Sequence, residues 1–371
     1  MKALGIIFSN IHNETIDELT RKRTSASIPF GGRYRLIDFA LSNLINANIV
    51  NVGVLAQKNY QSLMDHVGSG KDWDLSRKNG GLVIFPPYGS YKSDILYSNR
   101  LEALISIRGW IEKQKEDYVV LMDCDSANVI DLTDVLRQHI NNHADITILY
   151  RSGICTPDLA SHMDLQLDET NRVVKADLKS KVGQVTNSSI NVWIINRRLL
   201  QGLLEDATSQ GLESFHRDIL FNNIKSLKIY GHQHTGSYLH VNTMENYFKH
   251  SMSLLNEETR DKLFSIKNHR VYTKVRDSAP TRYGFDAHVE NSFIADGCEI
   301  EGTVINSVLF RGVKVGKGTV IKNSILMQDT ITGSNVALNY VVTDKNVTIR
   351  DRNTLSGCEK IPYYLGKNTM V

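Results

Sequence analysis

The last quarter of this sequence leaves the fewest options for how the chain can fold. Apolar β-branched residues return there every five or six positions: Val289, Ile294, Ile300 and Ile305, then Val315 and Ile321, then Ile331, Val336, Val342 and Val347. Between them fall Gly297, Gly302, Gly312, Gly316, Gly318 and Gly333. A hexapeptide period with turn glycines is the repeat of a parallel left-handed β-helix, whose coils bury one branched residue per face. The repeat is imperfect around Val308–Val313.

The first two-thirds read differently. Apolar strand-like runs occur at Leu4–Phe8, Asn51–Ala56, Leu82–Phe85, Tyr118–Met122, Ile146–Tyr150, Leu165–Leu167 and Val192–Ile195. Helical patterns lie between several of them, at Leu36–Ala47, Ser98–Trp110 and Leu132–His143. This alternation predicts a mostly parallel, Rossmann-like α/β sheet with helices on both faces. Ligands of such sheets bind beyond the carboxyl ends of the strands, which directs attention to Ser9-Asn10 and Asp123–Asp125. The stretch Glu257–Arg282 is charged and weakly periodic and reads as a linker. The expected organisation is an α/β domain over 1–256, a linker over 257–285 and a β-helix over 286–371.

Composition excludes several classes. A net charge of +3, with no basic stretch interleaved with aromatics, argues against nucleic acid as a partner. No apolar run approaches the roughly 20 residues that span a membrane. The opening MKALGIIFSN is too short in its apolar part for a signal peptide and suits a first strand, so a cytoplasmic location is expected. Cys124, Cys155, Cys298 and Cys358 are far apart and form no CxxC, which argues against a zinc site and a disulfide framework.

The most particular stretch is Arg23–Asn43, RTSASIPFGGRYRLIDFALSN. Leu36, Ile37, Phe39, Ala40, Leu41, Leu44 and Ile45 form the buried face of a helix, and the Gly31-Gly32 pair ahead of it could let backbone N–H groups approach an anion. The run resembles the PFGGxYRxIDFxLSN signature of glucose-1-phosphate adenylyltransferases. Further matching stretches are Ser62–Leu75, Ser93–Asn99, Phe215–Leu220 and Asn306–Val315, so the resemblance covers essentially the whole chain. It implies a nucleotidyltransferase-like domain followed by a left-handed β-helix, and a family reaction that joins ATP to glucose 1-phosphate with release of pyrophosphate.

Such a reaction must position two polyanions and neutralise growing charge, and the resemblance implies four devices for it. A glycine-rich loop of the form GGxGxRLxxLT is replaced by GIIFSNIHNETIDELT, with Ser9, Asn10 and His12 where bare backbone is wanted. The lysine of RxKPxVPFGG aligns with Ser25. Of the two aspartates that would hold Mg²⁺, one is kept as Asp125, while the other, in WRDVGT, aligns with His240, a poor ligand for a hard cation. The sugar-phosphate pocket keeps the lysine of EKP as Lys179 and the aspartate of GTADAV as Asp94.

A scaffold close to intact beside damaged phosphate-handling devices resembles the GlgD-type, non-catalytic or weakly catalytic subunit of the family. The resemblance implies a hetero-oligomer, a heterotetramer, with a catalytic paralogue. Two alternatives stay open: a competent transferase with an altered ATP loop, and an interaction subunit like those of translation-initiation exchange factors. A hexapeptide acyltransferase is a weaker third, since His288 lies only at the start of the repeat. Arg270, Arg276, Arg282 and Arg311 could hold a phosphorylated effector between domains, with solvent exposure as the plainer reading. His139 and His143 are expected on a solvated helix face, His232 and His234 on the surface, and one of Asp123 and Asp125 as a turn cap.

Overall fold

The computed structural model describes residues 2–9, 16–87 and 97–371. Among them, no helix is long and apolar enough to cross a membrane. A central sheet runs in the order Val173–Asp177, Asp164–Leu167, Val185–Asn196, Tyr118–Asp123, Ala3–Phe8, Asn51–Leu55, Gly81–Phe85. The last four are mutually parallel, as the strand–helix alternation predicts. Val185–Asn196 runs antiparallel to Tyr118–Asp123 and also pairs with Ile146–Ile154. Its register shifts between Ser189 and Trp193, where Asn191 takes φ 57°. Such bulges bend a strand and re-aim its groups.

Helices cover both faces because the strands are apolar on both. Leu36–Asn46 and Leu132–Asn141 close one face over Ile7, Val52, Val54, Val120 and Met122. Arg100–Ser106 and Arg197–Gln210 close the other over Leu4, Ile6, Leu121 and Trp193. The helix Leu36–Asn46 starts where Asp38 Oδ2 accepts from the Arg35 N–H at 3.0 Å. Its Asn43 is clamped to the sheet: Nδ2 donates to Asn128 Oδ1 at 2.8 Å, and Oδ1 accepts from the Ile130 N–H at 3.0 Å.

The repeat region folds as predicted into three parallel five-stranded sheets. Paired residues of the central coils lie seventeen apart, as in Val320 with Ala337 and Ala337 with Thr354, and those of the last coil twenty-two apart, as in Val342 with Tyr364. Near the start three pairings are two residues shorter than in the central coils, His288 with Thr303, Phe293 with Val308 and Glu299 with Lys314, each fifteen on. The shortening falls between Glu299 and Thr303, four residues where Lys314 to Val320 has six, and not at Val308–Val313. The corners are made by residues at positive φ. Asn291, Asn306, Asn323 and Tyr340 form one column at φ 39–53°, with Asn291 Nδ2 donating to Asn306 Oδ1 at 2.8 Å. Asparagine tolerates this left-handed backbone through its short polar side chain.

The sheet carrying Val308–Leu309, Ile325–Leu326 and Val341–Thr343 is buried on both faces. Leu309, Leu326 and Val341 point into the β-helix core. Val308, Phe310, Ile325, Met327 and Val342 point outward onto Phe30, Tyr34, Tyr247 and Leu254 of the α/β part. The β-helix is thus docked lengthwise. The stretch read as a linker opens with a helix, Glu257–Phe264, whose Leu263 is buried and whose Phe264 stacks on Tyr34 with centroids 5.0 Å apart. Its amphipathic stripe is too short to show in a charged sequence. Farther on, the Tyr272 N–H donates to Ser42 Oγ at 2.8 Å.

Candidate functional site

Two polar centres emerge. The first lies beyond the carboxyl ends of the parallel strands. Ser9 ends the first strand, and its carbonyl accepts from Ser25 Oγ at 2.9 Å and from the Ala26 N–H at 3.0 Å. A hydroxyl at position 25 therefore closes the strand end with a neutral hydrogen bond. Asn10, His12 and Asp94 lie outside the described residues.

Asp123 ends its strand as the partner of Arg100, whose Nε donates to Oδ1 at 3.1 Å; both side chains are buried. In this ion pair Arg100 also lies over the Trp193 ring at 5.0 Å. Asp125 follows at the mouth of the sheet. A two-strand ladder sets Tyr238–His240 against Ser126–Asn128 and delivers His240 to it, with His240 Nε2 at 3.3 Å from Asp125 Oδ2. The Asp125–His240 pair expected from alignment alone is therefore a real contact in the fold.

Sequence reasoning missed His162, which follows the short turn Pro157–Leu159 and brings its ring to 4.8 Å from that of His240, edge to face. Asp125, His162 and His240 are all buried, and one ligand atom from each lies within 4.8 Å of the others. Each imidazole hands its Nδ1–H to a backbone carbonyl, His240 to Asp158 at 3.0 Å and His162 to Ser189 at 2.6 Å, at the start of the bulge. Burial alone would depress the His240 pKa, but the Asp125 carboxylate and the carbonyl of Asp158 carry it above the ordinary histidine value. No local signal marks His162, since its role depends on a strand more than twenty residues away.

This donor set does not fit Mg²⁺. A hard cation that demands octahedral oxygen ligands meets here one carboxylate and two imidazoles. Lys179 is exposed beside Ser180, whose Oγ donates to the His162 carbonyl at 2.9 Å.

The second centre lies at the seam between the α/β part and the β-helix. Gly31 and Gly32, both at positive φ, turn a short hairpin between Pro29–Phe30 and Tyr34–Arg35. The pair expected to cradle an anion at a helix N-terminus instead lies against the first coil: a Cβ on Gly32 would come within 3.3 Å of Phe293. The hairpin carries Arg33 and Arg35 into a cleft shared with His66, Lys274, Arg276, Arg311, Gln328 and Lys345. Of the four arginines read as effector ligands, Arg276 and Arg311 line this cleft, whereas Arg282 is spent on Glu299 at 2.7 Å and Arg270 lies outside it. Arg311 is also held by Asp296 at 3.0 Å.

The cleft crowds cations. Burial and the neighbouring Arg35 and Arg23 push the Lys345 pKa down to about 6, and burial brings Arg35 down to about 10 despite Asp38. His66 donates to Asp38 at 2.6 Å, yet burial keeps its pKa below the ordinary value. Next to the cleft, Arg23 and Asp344 form a buried pair in which Arg23 Nη2 reaches both carboxylate oxygens, at 2.6 and 2.8 Å, and Tyr364 Oη donates to Asp344 at 3.1 Å.

Two histidine expectations are corrected. His139 is 1% exposed, bonds Thr147 Oγ1 at 2.7 Å and packs on Tyr118, so its face is not solvated. His234 is buried against the Ser237 carbonyl, and burial lowers its pKa to about 4.

A family model described as nucleotidyl transferase matches residues 15–155, and one described as GlmU-like, C-terminal hexapeptide matches residues 278–359. Among curated proteins, the chain is 31% identical over 370 residues to the glycogen biosynthesis protein GlgD of Bacillus subtilis, covering 98% of this chain and 95% of that protein. It is 34% identical over 325 residues to GlgD of Geobacillus stearothermophilus, covering 86% and 83% respectively. It is 30% identical over 357 residues to the glucose-1-phosphate adenylyltransferase of Bacillus mycoides, covering 94% and 93%.

Proposed function

This chain belongs to the glucose-1-phosphate adenylyltransferase family, and from that premise we propose that it serves glycogen biosynthesis as a non-catalytic or weakly catalytic, GlgD-type subunit. It pairs with a catalytic paralogue in a hetero-oligomer, a heterotetramer, and modulates that partner's response to substrates and effectors. The observation that carries this reading is the Asp125–His240 contact, a carboxylate and an imidazole where the chemistry needs two carboxylates for Mg²⁺. Ser25, closing the end of the first strand with a neutral bond, adds to it. Losing one electrostatic stabiliser costs on the order of 10²–10³ in rate, and here two are replaced.

The cationic cleft gives such a subunit something to regulate with. The cleft has room for only about 30 Å³, so a phosphorylated metabolite reaching Arg35, Arg276 and Lys345 would have to open the seam, and its differential binding to the open and closed arrangements would shift the partner.

Pyrophosphate release from ATP and glucose 1-phosphate decides the matter, measured with this chain, with the catalytic paralogue, and with both. We expect this chain alone to be at least about 100-fold slower than the paralogue, and the mixture to show an altered rate or effector response. Robust turnover by this chain alone would sink the reading in favour of a competent transferase with a different ATP loop.

A further inference from the structure

The geometry points to a site for one borderline divalent transition-metal ion, with Zn²⁺ or Co²⁺ as probe, held by Asp125, His162 and His240. The family relationship brings a magnesium expectation, and the side chains present are the wrong chemistry for it. They are the right chemistry for another ion.

Imidazole nitrogen suits Zn²⁺, Co²⁺ and Ni²⁺, and two histidines with one carboxylate is a recurrent protein donor set for such ions. The orientation of both rings is what metal-binding histidines show. Each Nδ1–H is committed outward to a backbone carbonyl, Asp158 for His240 and Ser189 for His162. This fixes the tautomer and leaves Nε2 as the ligand nitrogen of each ring, and that of His240 faces Asp125 at 3.3 Å. A histidine packed only for its bulk has no need of that arrangement, and here two neighbouring rings share it.

The spacing agrees. His240 Nε2 and Asp125 Oδ2 are 3.3 Å apart, about the edge of a tetrahedron with metal–ligand bonds of about 2.0–2.1 Å. The three ligand atoms lie within 4.8 Å of one another, so closing by at most about 1.5 Å brings the set to tetrahedral spacing. All three side chains are buried, with exposures of 3–4%, which holds the ligands in place. The cysteine pattern gave no reason to expect zinc, and no cysteine contributes: the site is built from two imidazoles far apart in sequence.

The test uses the full chain, stripped of metal with a chelator and titrated with Co²⁺ and Zn²⁺. One equivalent of Co²⁺ should give the intense visible absorption of a low-coordinate site and be displaced by Zn²⁺, with excess Mg²⁺ without effect. His162→Gln and His240→Gln, checked for folding by circular dichroism, should each weaken Zn²⁺ at least about 100-fold, the upper end of what losing a mere outer-shell partner costs. His143→Gln, an exposed control, should not. Should either variant fail to fold, a Zn²⁺-dependent rise in the wild-type melting temperature that Mg²⁺ cannot reproduce carries the same information.

Wild-type protein that takes up no Co²⁺ or Zn²⁺ overturns the assignment. So does uptake that survives either histidine variant, which would leave the three groups as an ion pair with a packed neighbour. Neither result bears on the regulatory reading, which stands or falls on pyrophosphate release.

Discussion

The mouth of the sheet and the seam cleft handle charge in opposite ways. At the mouth, charges are matched one for one: Arg100 with Asp123, His240 with Asp125, and a hydroxyl at position 25 on the carbonyl of Ser9. At the seam, Arg33, Arg35, Lys274, Arg276, Arg311 and Lys345 converge with few acids to answer them, and burial, joined by the neighbouring cations, makes Lys345 shed its proton more easily. Without an added metal ion, a centre whose charges already answer one another has little left to offer an incoming polyanion, whereas a centre with surplus cations gains by accepting one. A single fold can therefore lose its grip on phosphate in one place and keep it in another, provided the two places use separate side chains.

Breaking the seam gives the largest expected effect. Arg23→Ala leaves Asp344 buried without its cation, and such losses cost about 3–5 kcal/mol. Urea denaturation should register this as a large fall in midpoint, and phosphate binding in the neighbouring cleft should fall with it. Unchanged stability would mean that the α/β part and the β-helix are not coupled through this pair.

Lys345→Gln sharpens the contrast by pulling stability and binding apart. The folded Lys345 titrates near 6 and the free side chain near 10.5. Between those values the unfolded chain holds a proton that the folded chain has released, so stability rises with pH across that window and is reduced at neutral pH. Removing the amine should therefore stabilise the protein at pH 7, on the order of 1 kcal/mol after solvent screening. The same change should weaken inorganic phosphate or a sugar bisphosphate. An entering anion favours the charged ammonium, so wild-type binding should tighten as pH falls toward 6, and isothermal titration in two buffers should detect proton uptake. Binding that ignores both the substitution and the pH would remove Lys345 from the cleft's function.

Ser25→Ala is expected to do least. It deletes one neutral hydrogen bond, worth about 1 kcal/mol, and should leave phosphate affinity at the seam unchanged. An equal loss of affinity would erase the distinction between the two centres.

The sequence carried the fold well wherever the signal was periodic. The branched residues of the coils announced three-sided stacking, and the face from Leu36 to Ile45 announced its helix. Local chemistry was read less well when partners were remote. Asn291, Asn306 and Asn323 carry a corner column that glycine spacing did not reveal, because asparagine adopts the same backbone for a different reason. The Gly31-Gly32 pair was legible as a turn but not as a hairpin facing the coils, since only tertiary packing puts Phe293 beside it. The Asp125–His240 contact could be anticipated by alignment, whereas His162 could not. His139 looked like one charge among many on a polar helix, and only Thr147 and Tyr118 on neighbouring strands bury it.

The lengthwise docking of the β-helix changes what its repetition means for descent. Coils of a free-standing β-helix are close to interchangeable, and unequal recombination could add or delete one with little harm. Here Phe293 meets Gly32, Phe310 and Met327 fill the hydrophobic seam, Asp344 holds Arg23, and Tyr364 donates to the Glu18 carbonyl at 2.8 Å. Each coil has its own address. Losing one would slide every later contact out of register, so a repetitive sequence docked in this way is held to its number of coils and is free to change only residue by residue.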